Sequence, residues 1–348
     1  MTKIQNIQAL RGIAVLSVTL YHLSIIEQKY GGSISILPKL LQFGMFGVDL
    51  FFIISGFVMI TITRGKFQNQ QQALKFIYHR IARIYPSYWV YSLLVLGVFL
   101  IQPTWVNSTQ ENQVDIMASF LLVPANTLPL VMVGWTLIHE MYFYLIFFIL
   151  LLISAEKNIM ATLIIWTAIV IILNTFVLLN NPVFKIISHP LTIEFIAGCI
   201  FAVVFYQKNI RFRVPILLVM AALTLALSIY GFYLYQNITE QIDPTNWWRV
   251  LVFGTPALLI VFCFIYAEKS GYILPSALIK IGDASYSIYL SHILTLSATG
   301  RVWAMFATDS ISDNIIMLPV LLIIVLIVGI ISYHLIEKPL LKLSHRIA

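Results

Sequence analysis

Long apolar runs separated by short polar breaks recur along this chain. LIIWTAIVIILNTFVLL from Leu163, ILLVMAALTLALSIYGFYLY from Ile216 and IIMLPVLLIIVLIVGIISYHLI from Ile315 approach or exceed the about 20 mostly apolar residues that carry a helix across a bilayer core. The pattern predicts spans at about 7–26, 44–63, 84–102, 134–154, 159–179, 191–206, 214–235, 249–267, 285–306 and 315–336. An even number places both termini on one side. The expected fold is all-α, a polytopic membrane protein of about ten transmembrane helices. The sixth span is short, and polar residues weaken the hydropathy of the ninth.

Composition agrees with lipid as the solvent. Of 348 residues, 60% are hydrophobic and 10% charged, against roughly 25% charged in a soluble domain. The net charge of +7 does not call for nucleic acid once the cations are sorted by loop. With the termini cytoplasmic, only Lys29, Lys39, Lys185, Arg249 and Arg301 fall outside, which leaves sixteen of the 21 Lys and Arg inside. Arg11 interrupts the first apolar run and no small-residue cleavage pattern follows it, so that run is expected to stay as the first span. Cys199 and Cys263 lie far apart in apolar segments, with no disulfide framework and no metal-ligand spacing. No repeat or appended soluble segment is visible, so residues 1–348 read as a single membrane-embedded domain.

The informative residues are those that lipid penalises, at roughly 2.5–3.5 kcal/mol for each Arg, Lys or Asp. Arg11 and His22 are eleven positions apart on the first span, which sets them ~20° apart around a helix and about 16 Å apart along it. Either both reach to headgroups, or one helix face carries a guanidinium and an imidazole into an interior. In FIYHRIARIYPSYW, Arg80 and Arg83 lie one turn apart and can present two guanidinium groups to phosphate oxygens or to anionic lipid. Pro86 is expected to start the third span. In GWTLIHEMYFY, Glu140 falls inside the fourth span, where it needs a partner, and the neighbouring His139 points about 100° away from it. In GDASYSIYLSHIL, Ser285, Tyr289 and His292 form a stripe at i, i+4 and i+7 that either lines a cavity or binds neighbouring helices. In GVDLFFIISGF, Asp49 either orients an imidazole or caps the second span, and Ser55 follows it.

Taken in order, ALRGIAVLSVTLYH, GVDLFFIISGF, the Arg80/Arg83 pair before IYPSYW, WTLIHEMYFY, GDASYSIYLSH and the closing IEKP at 336–339 resemble the bacterial acyltransferase 3 family from residue 7 to about 340. The resemblance implies a ten-helix enzyme of the bacterial cytoplasmic membrane. Such an enzyme moves acyl groups, usually acetyl, from acyl-CoA (acetyl-CoA) to hydroxyls of a surface polysaccharide or lipid-linked glycan. It implies His22 as the essential histidine, Glu140 at the family's acidic position, and Arg11, Arg80 and Arg83 as donor-binding cations. From the residues themselves, Asp49 is a further catalytic candidate, and Ser55, Trp135, Ser285, Tyr289 and His292 are candidate cavity residues. Many members continue into an SGNH esterase-like domain, whereas this chain stops soon after IEKP, which implies a stand-alone form or a separate glycan-assembly partner. The competing class is a transporter or flippase of lipid-linked glycans. Intramembrane charges suit that class too, but no inverted repeat supports it.

Overall fold

The computed structural model describes residues 4–33, 35–176, 181–208, 210–238, 247–308 and 310–347. Among these there is no strand. The long helices are α1 (Gln5–Tyr30), α2 (Phe46–Thr63), α3 (Gln70–Ile101), α4 (Gly134–Ile153), α5 (Ile159–Phe176), α6 (Leu191–Gln207), α7 (Val214–Ile238), α8 (Trp247–Lys269), α9 (Ser285–Ala304) and α10 (Ile311–Ser332). All but α9 belong to segments long and apolar enough to cross a membrane. Helix α9 has the length, but Ser285, Ser287, Ser291, His292 and Arg301 dilute its hydropathy, and the first four of these are buried. Leu223 and Leu227 on α7 are 60% and 70% exposed, which suits side chains facing lipid rather than water. The protein is an all-α, multi-pass membrane protein.

One boundary lies far from that which the hydropathy predicts. Helix α3 begins at Gln70, not near residue 84, and carries Pro86 in its interior. Asn69 accepts from the amide of Gln72 at the helix start, 3.0 Å, so the polar residues 70–83 are already helical. The rise in hydropathy near residue 84 marks where apolar surroundings begin, and not where the helix does. Helix α8, described from Trp247 onwards, runs through a π-helical turn at Val250–Gly254. The expected end of the fifth span at residue 179 lies outside the described residues.

The chain divides into two compact units, each assembled from three separate segments. The first comprises Met1–Arg11, Val48–Arg80 and His139–Lys280. In it α7 packs along α8 and α5 along α6, and Phe143 stacks on Phe195 with ring centroids 4.4 Å apart. Helices α2 and α6 touch through glycines. A Cβ on Gly56 would lie 1.9 Å from the Phe195 carbonyl oxygen, and one on Gly198 would lie 2.1 Å from that of Ile53. Small residues of this kind let helices associate in lipid, where no hydrophobic force drives them together.

The second unit comprises Gly12–Gly47, Ile81–Ile138 and Ile281–Ala348. Its core is α9 against α10, with Trp303 fully buried. Glu27, 1% exposed, accepts from Ser35 Oγ, the amides of Ile36 and Leu37, and Asn314 Nδ2. Four donors satisfy this buried carboxylate and fix the turn that follows α1. The segment between α3 and α4 is tied down by α3 aromatics: Tyr85, Tyr88 and Trp89 donate to the carbonyls of Leu121, Ser119 and Phe120. Asp115 caps the short helix Ile116–Leu121 by accepting from the Ala118 amide. That anchored segment carries Trp105 and Asn107 to the rim of the site.

Candidate functional site

The second unit encloses a cavity of about 460 Å³ bordered by the C-terminal half of α1, α3, the α3–α4 segment and α9. Its volume falls in the ~300–1,000 Å³ range of small-molecule sites. His22 lines it and His292 lies behind, 0% exposed. Nε2 of His292 is 3.2 Å from Nδ1 of His22, and the rings meet edge to face at 65° with centroids 4.9 Å apart.

The backbone decides where the protons sit. Nδ1 of His22 is 3.0 Å from the Val18 carbonyl oxygen, and Nδ1 of His292 is 2.7 Å from that of Tyr289. A carbonyl oxygen only accepts, so in the neutral rings each Nδ1 carries the hydrogen and each Nε2 the lone pair. Nε2 of His292 then shares the one His22 Nδ1 hydrogen with the Val18 carbonyl, as the longer acceptor of a three-centre bond. Nε2 of His22 has no hydrogen-bond partner among the described residues and is left as a base on a ring that borders the cavity. Tyr289, whose carbonyl fixes His292, is itself fixed by a hydrogen bond between its hydroxyl and Thr136 Oγ1, 2.9 Å. Ser285 is fully buried, and its Oγ has no hydrogen-bond partner among the described residues. Trp135 stands half-buried in the first turn of α4.

The first unit holds the remaining candidates except Arg83, which belongs to the second. Asp49, expected to orient an imidazole or cap α2, is instead committed to Arg249. Both of its oxygens accept from the guanidinium, at 3.1 Å from Nε and 2.8 Å from Nη2, with the pair essentially unexposed. A two-pronged fork of this kind holds its partners in one geometry, and Asp49 sits within the first turn of α2, not at the cap. Glu194 lies beside Asp49, and a Cβ at position 254 would come within 2.6 Å of its carboxylate, so Gly254 leaves room for it. His139 turns to His189, ring centroids 4.5 Å apart. Glu140 accepts from Ser55 Oγ, 3.1 Å, and from the Tyr144 hydroxyl. The Arg80 guanidinium lies 5.8 Å from the Tyr144 ring centroid and 5.9 Å from that of Phe76. Arg11 and Arg83 are half-buried on α1 and α3.

Arg249, Glu194 and His189 are among the buried polar residues that the sequence reading did not single out, as are Glu27 and Glu337. Glu194 carried the same signal as Glu140, an acid inside an apolar run. Arg249, counted with the loop cations, is 2% exposed.

The family model described as an acyltransferase domain, Acyl_transf_3, matches residues 4–334. The chain belongs to the acyltransferase 3 family. It is 32% identical over 311 residues to the exopolysaccharide production protein ExoZ of Rhizobium meliloti (strain 1021), covering 86% of this chain and 90% of that protein. It is 22% identical to the O-acetyltransferase OatA of Staphylococcus aureus (strain NCTC 8325), covering 97% of this chain and 57% of the relative. A putative acetyltransferase, ORF330 of the Acidianus two-tailed virus, is 25% identical over 304 residues, 85% of this chain and 84% of that one. No solved structure matches. The protein is thus an acyltransferase. Two stretches that carry the resemblance meet in space in this family member, since Ser287 of SYSIYLSH donates to Glu337 of IEKP.

Proposed function

We propose that this acyltransferase moves an acyl group, acetyl in the simplest case, from acyl-CoA to a hydroxyl of a cell-surface or lipid-linked carbohydrate. The reaction takes place in a bacterial cytoplasmic membrane, with both termini cytoplasmic. The observation that carries this reading is the unpartnered Nε2 of His22, on a ring at the wall of a ligand-sized cavity, backed by His292. An alcohol is a poor nucleophile at neutral pH, and a positioned imidazole that accepts its proton contributes roughly 10²- to 10⁴-fold.

The acceptor oxygen bonds to the thioester carbonyl carbon while its proton passes to His22 Nε2. His292 Nε2, accepting from His22 Nδ1, supports the imidazolium so formed. As the carbon–sulfur bond breaks, the thiolate leaves with the electron pair and the imidazolium returns the proton to sulfur. Arg11, one helix with His22 and about 16 Å along it, Arg80 and Arg83 are each candidate binders of donor phosphates. Glu140 holds Tyr144, whose ring flanks Arg80. The name of the relative ExoZ supports an exopolysaccharide as the acceptor, and that of OatA supports acetyl as the group transferred.

The test is transfer of labelled acetyl from acetyl-CoA to glycan in proteoliposomes, with product mass as readout. His22→Ala is expected to lower the rate by about 10²- to 10⁴-fold with an unchanged thermal midpoint in detergent. Transfer at the wild-type rate by that variant would sink the proposal.

A further inference from the structure

The cavity beside His22 has a charge that acyl transfer to a neutral sugar does not require. Its lining includes two cations, Lys29 and Arg301, and no carboxylate. Neither cation forms an ion pair with an acidic side chain among the described residues. Arg301 is held in place without one: its Nη1 donates to the Ser297 carbonyl at 2.9 Å, and its guanidinium lies 4.5 Å from the Trp105 ring centroid and 5.9 Å from that of Tyr30. Aromatic faces and two carbonyls, of Ser297 and, 3.5 Å from Nη2, of Trp105, orient the guanidinium but do not neutralise it, and the N–H groups not used in these bonds stay available to a ligand. Lys29 is exposed, 3.5 Å from Ser108 Oγ and 5.6 Å from the Tyr30 ring centroid.

The position of these charges is as informative as their sign. Lys29 is two helical turns beyond His22 on the same face of α1, about 10 Å along the axis. It lies on the far side of His22 from Arg11, so the cations at this end of the cavity are separate from those assigned to the donor. Two cations lining one partly apolar pocket repel each other, a cost that an anionic ligand removes.

We propose that Arg301 and Lys29 form an oxyanion subsite for the acceptor: the carbohydrate that enters this cavity carries a carboxylate or phosphate, placed on a neighbouring unit and not on the ring being acylated. The proposal rests on the acyl-transfer reading above and narrows its acceptor class. A carboxylate would belong to an acidic sugar of the glycan, and a phosphate to a lipid-linked precursor.

Steady-state transfer by the full-length protein in detergent distinguishes these sources. The acceptors are a uronate-containing oligosaccharide, the same oligosaccharide with its carboxyl groups reduced to alcohols, and an isoprenyl-diphosphate-linked disaccharide beside its free sugar. At least one anionic acceptor is expected to show a KM about tenfold below that of its neutral counterpart. Preference within the first pair identifies a carboxylate, and within the second a phosphate. Arg301→Gln is expected to erase the preference, Arg301→Lys to keep part of it, and both to leave the KM for acetyl-CoA unchanged. Lys29→Gln, at an exposed position that does not endanger folding, is expected to reduce the preference by a smaller factor. Equal use of charged and neutral acceptors would overturn this inference alone, as would a rise in donor KM with acceptor KM unchanged in Arg301→Gln, which would hand the subsite to the donor. Absence of transfer to every acceptor by the wild-type protein would sink the acyl-transfer reading, and this inference with it.

Discussion

Two buried polar clusters, one in each unit, use their hydrogen-bonding capacity differently. In the first unit Arg249 grips Asp49 with a two-pronged fork beside Glu194, the fork itself essentially unexposed. In the second, His22 and His292 each give Nδ1 to a carbonyl, and one basic nitrogen is left over on a ring that borders a cavity. Both clusters put ionisable groups where lipid-facing helices would not tolerate them. The lesson is that burial of charge alone does not mark chemistry. An unused lone pair next to ligand-sized space does, whereas a carboxylate gripped on both oxygens points to holding helices together. On that basis we propose His22 for the reaction and Asp49–Arg249 for the fold.

The sharpest way to break this contrast is to remove the cation of the Asp49 cluster. Arg249→Met leaves two buried carboxyls facing each other without a counter-charge, and breaking a buried pair from one side costs about 3–5 kcal/mol. Detergent unfolding should register that loss. Adding Asp49→Asn and Glu194→Gln to Arg249→Met is expected to recover most of it, because no buried charge then lacks a partner. Activity per folded molecule should stay near wild type throughout. A triple variant that is stable but inactive would move the cluster from the fold to the reaction.

What was readable in the sequence follows the same division. Crossing a bilayer constrains length and apolarity together, so the long runs announced their helices, and α9 showed itself as the polar exception. The start of α3 was not readable, because hydropathy reports the surroundings and residues 70–83 are helical outside the apolar stretch. His22 stood out as an imidazole in an apolar run and His292 as part of a polar stripe. Their meeting across 270 positions is a tertiary contact that helical periodicity does not encode. Arg249 was misplaced because it lies at the edge of an apolar run, where a loop cation and a buried one look alike until the partner on α2 is known.

Within the open cluster, His292 does not line the cavity beside His22 and acts through His22 in the proposed reaction, as a positioning residue. A hydrogen bond to a charged group is worth about 1.5–3 kcal/mol, and this one strengthens only as His22 gains its proton. His292→Leu is therefore expected to lower kcat by ~10- to 100-fold while leaving the KM for donor and acceptor unchanged. His292→Gln, which retains an acceptor oxygen, should restore part of the rate. If both variants shifted only the thermal midpoint, His292 would belong with Asp49 as a structural residue.

Glu140 is the intermediate case, and it tests the contrast with the smallest effect. Like Asp49 it accepts two hydrogen bonds, from Ser55 and Tyr144, but unlike Asp49 it is not fully buried. One of its donors belongs to a ring that flanks the Arg80 guanidinium. Tyr144→Phe keeps that ring and deletes only the hydroxyl, so it separates the two possibilities. If Glu140 serves to hold Arg80 ready for donor phosphates, loss of one hydrogen bond, about 0.5–1.5 kcal/mol net, should appear as a ~2- to 10-fold rise in the KM for acetyl-CoA at unchanged kcat. That is the expected outcome. A lowered thermal midpoint at unchanged donor KM would instead place Glu140 beside Asp49, as an acid whose work is finished once the helices have packed.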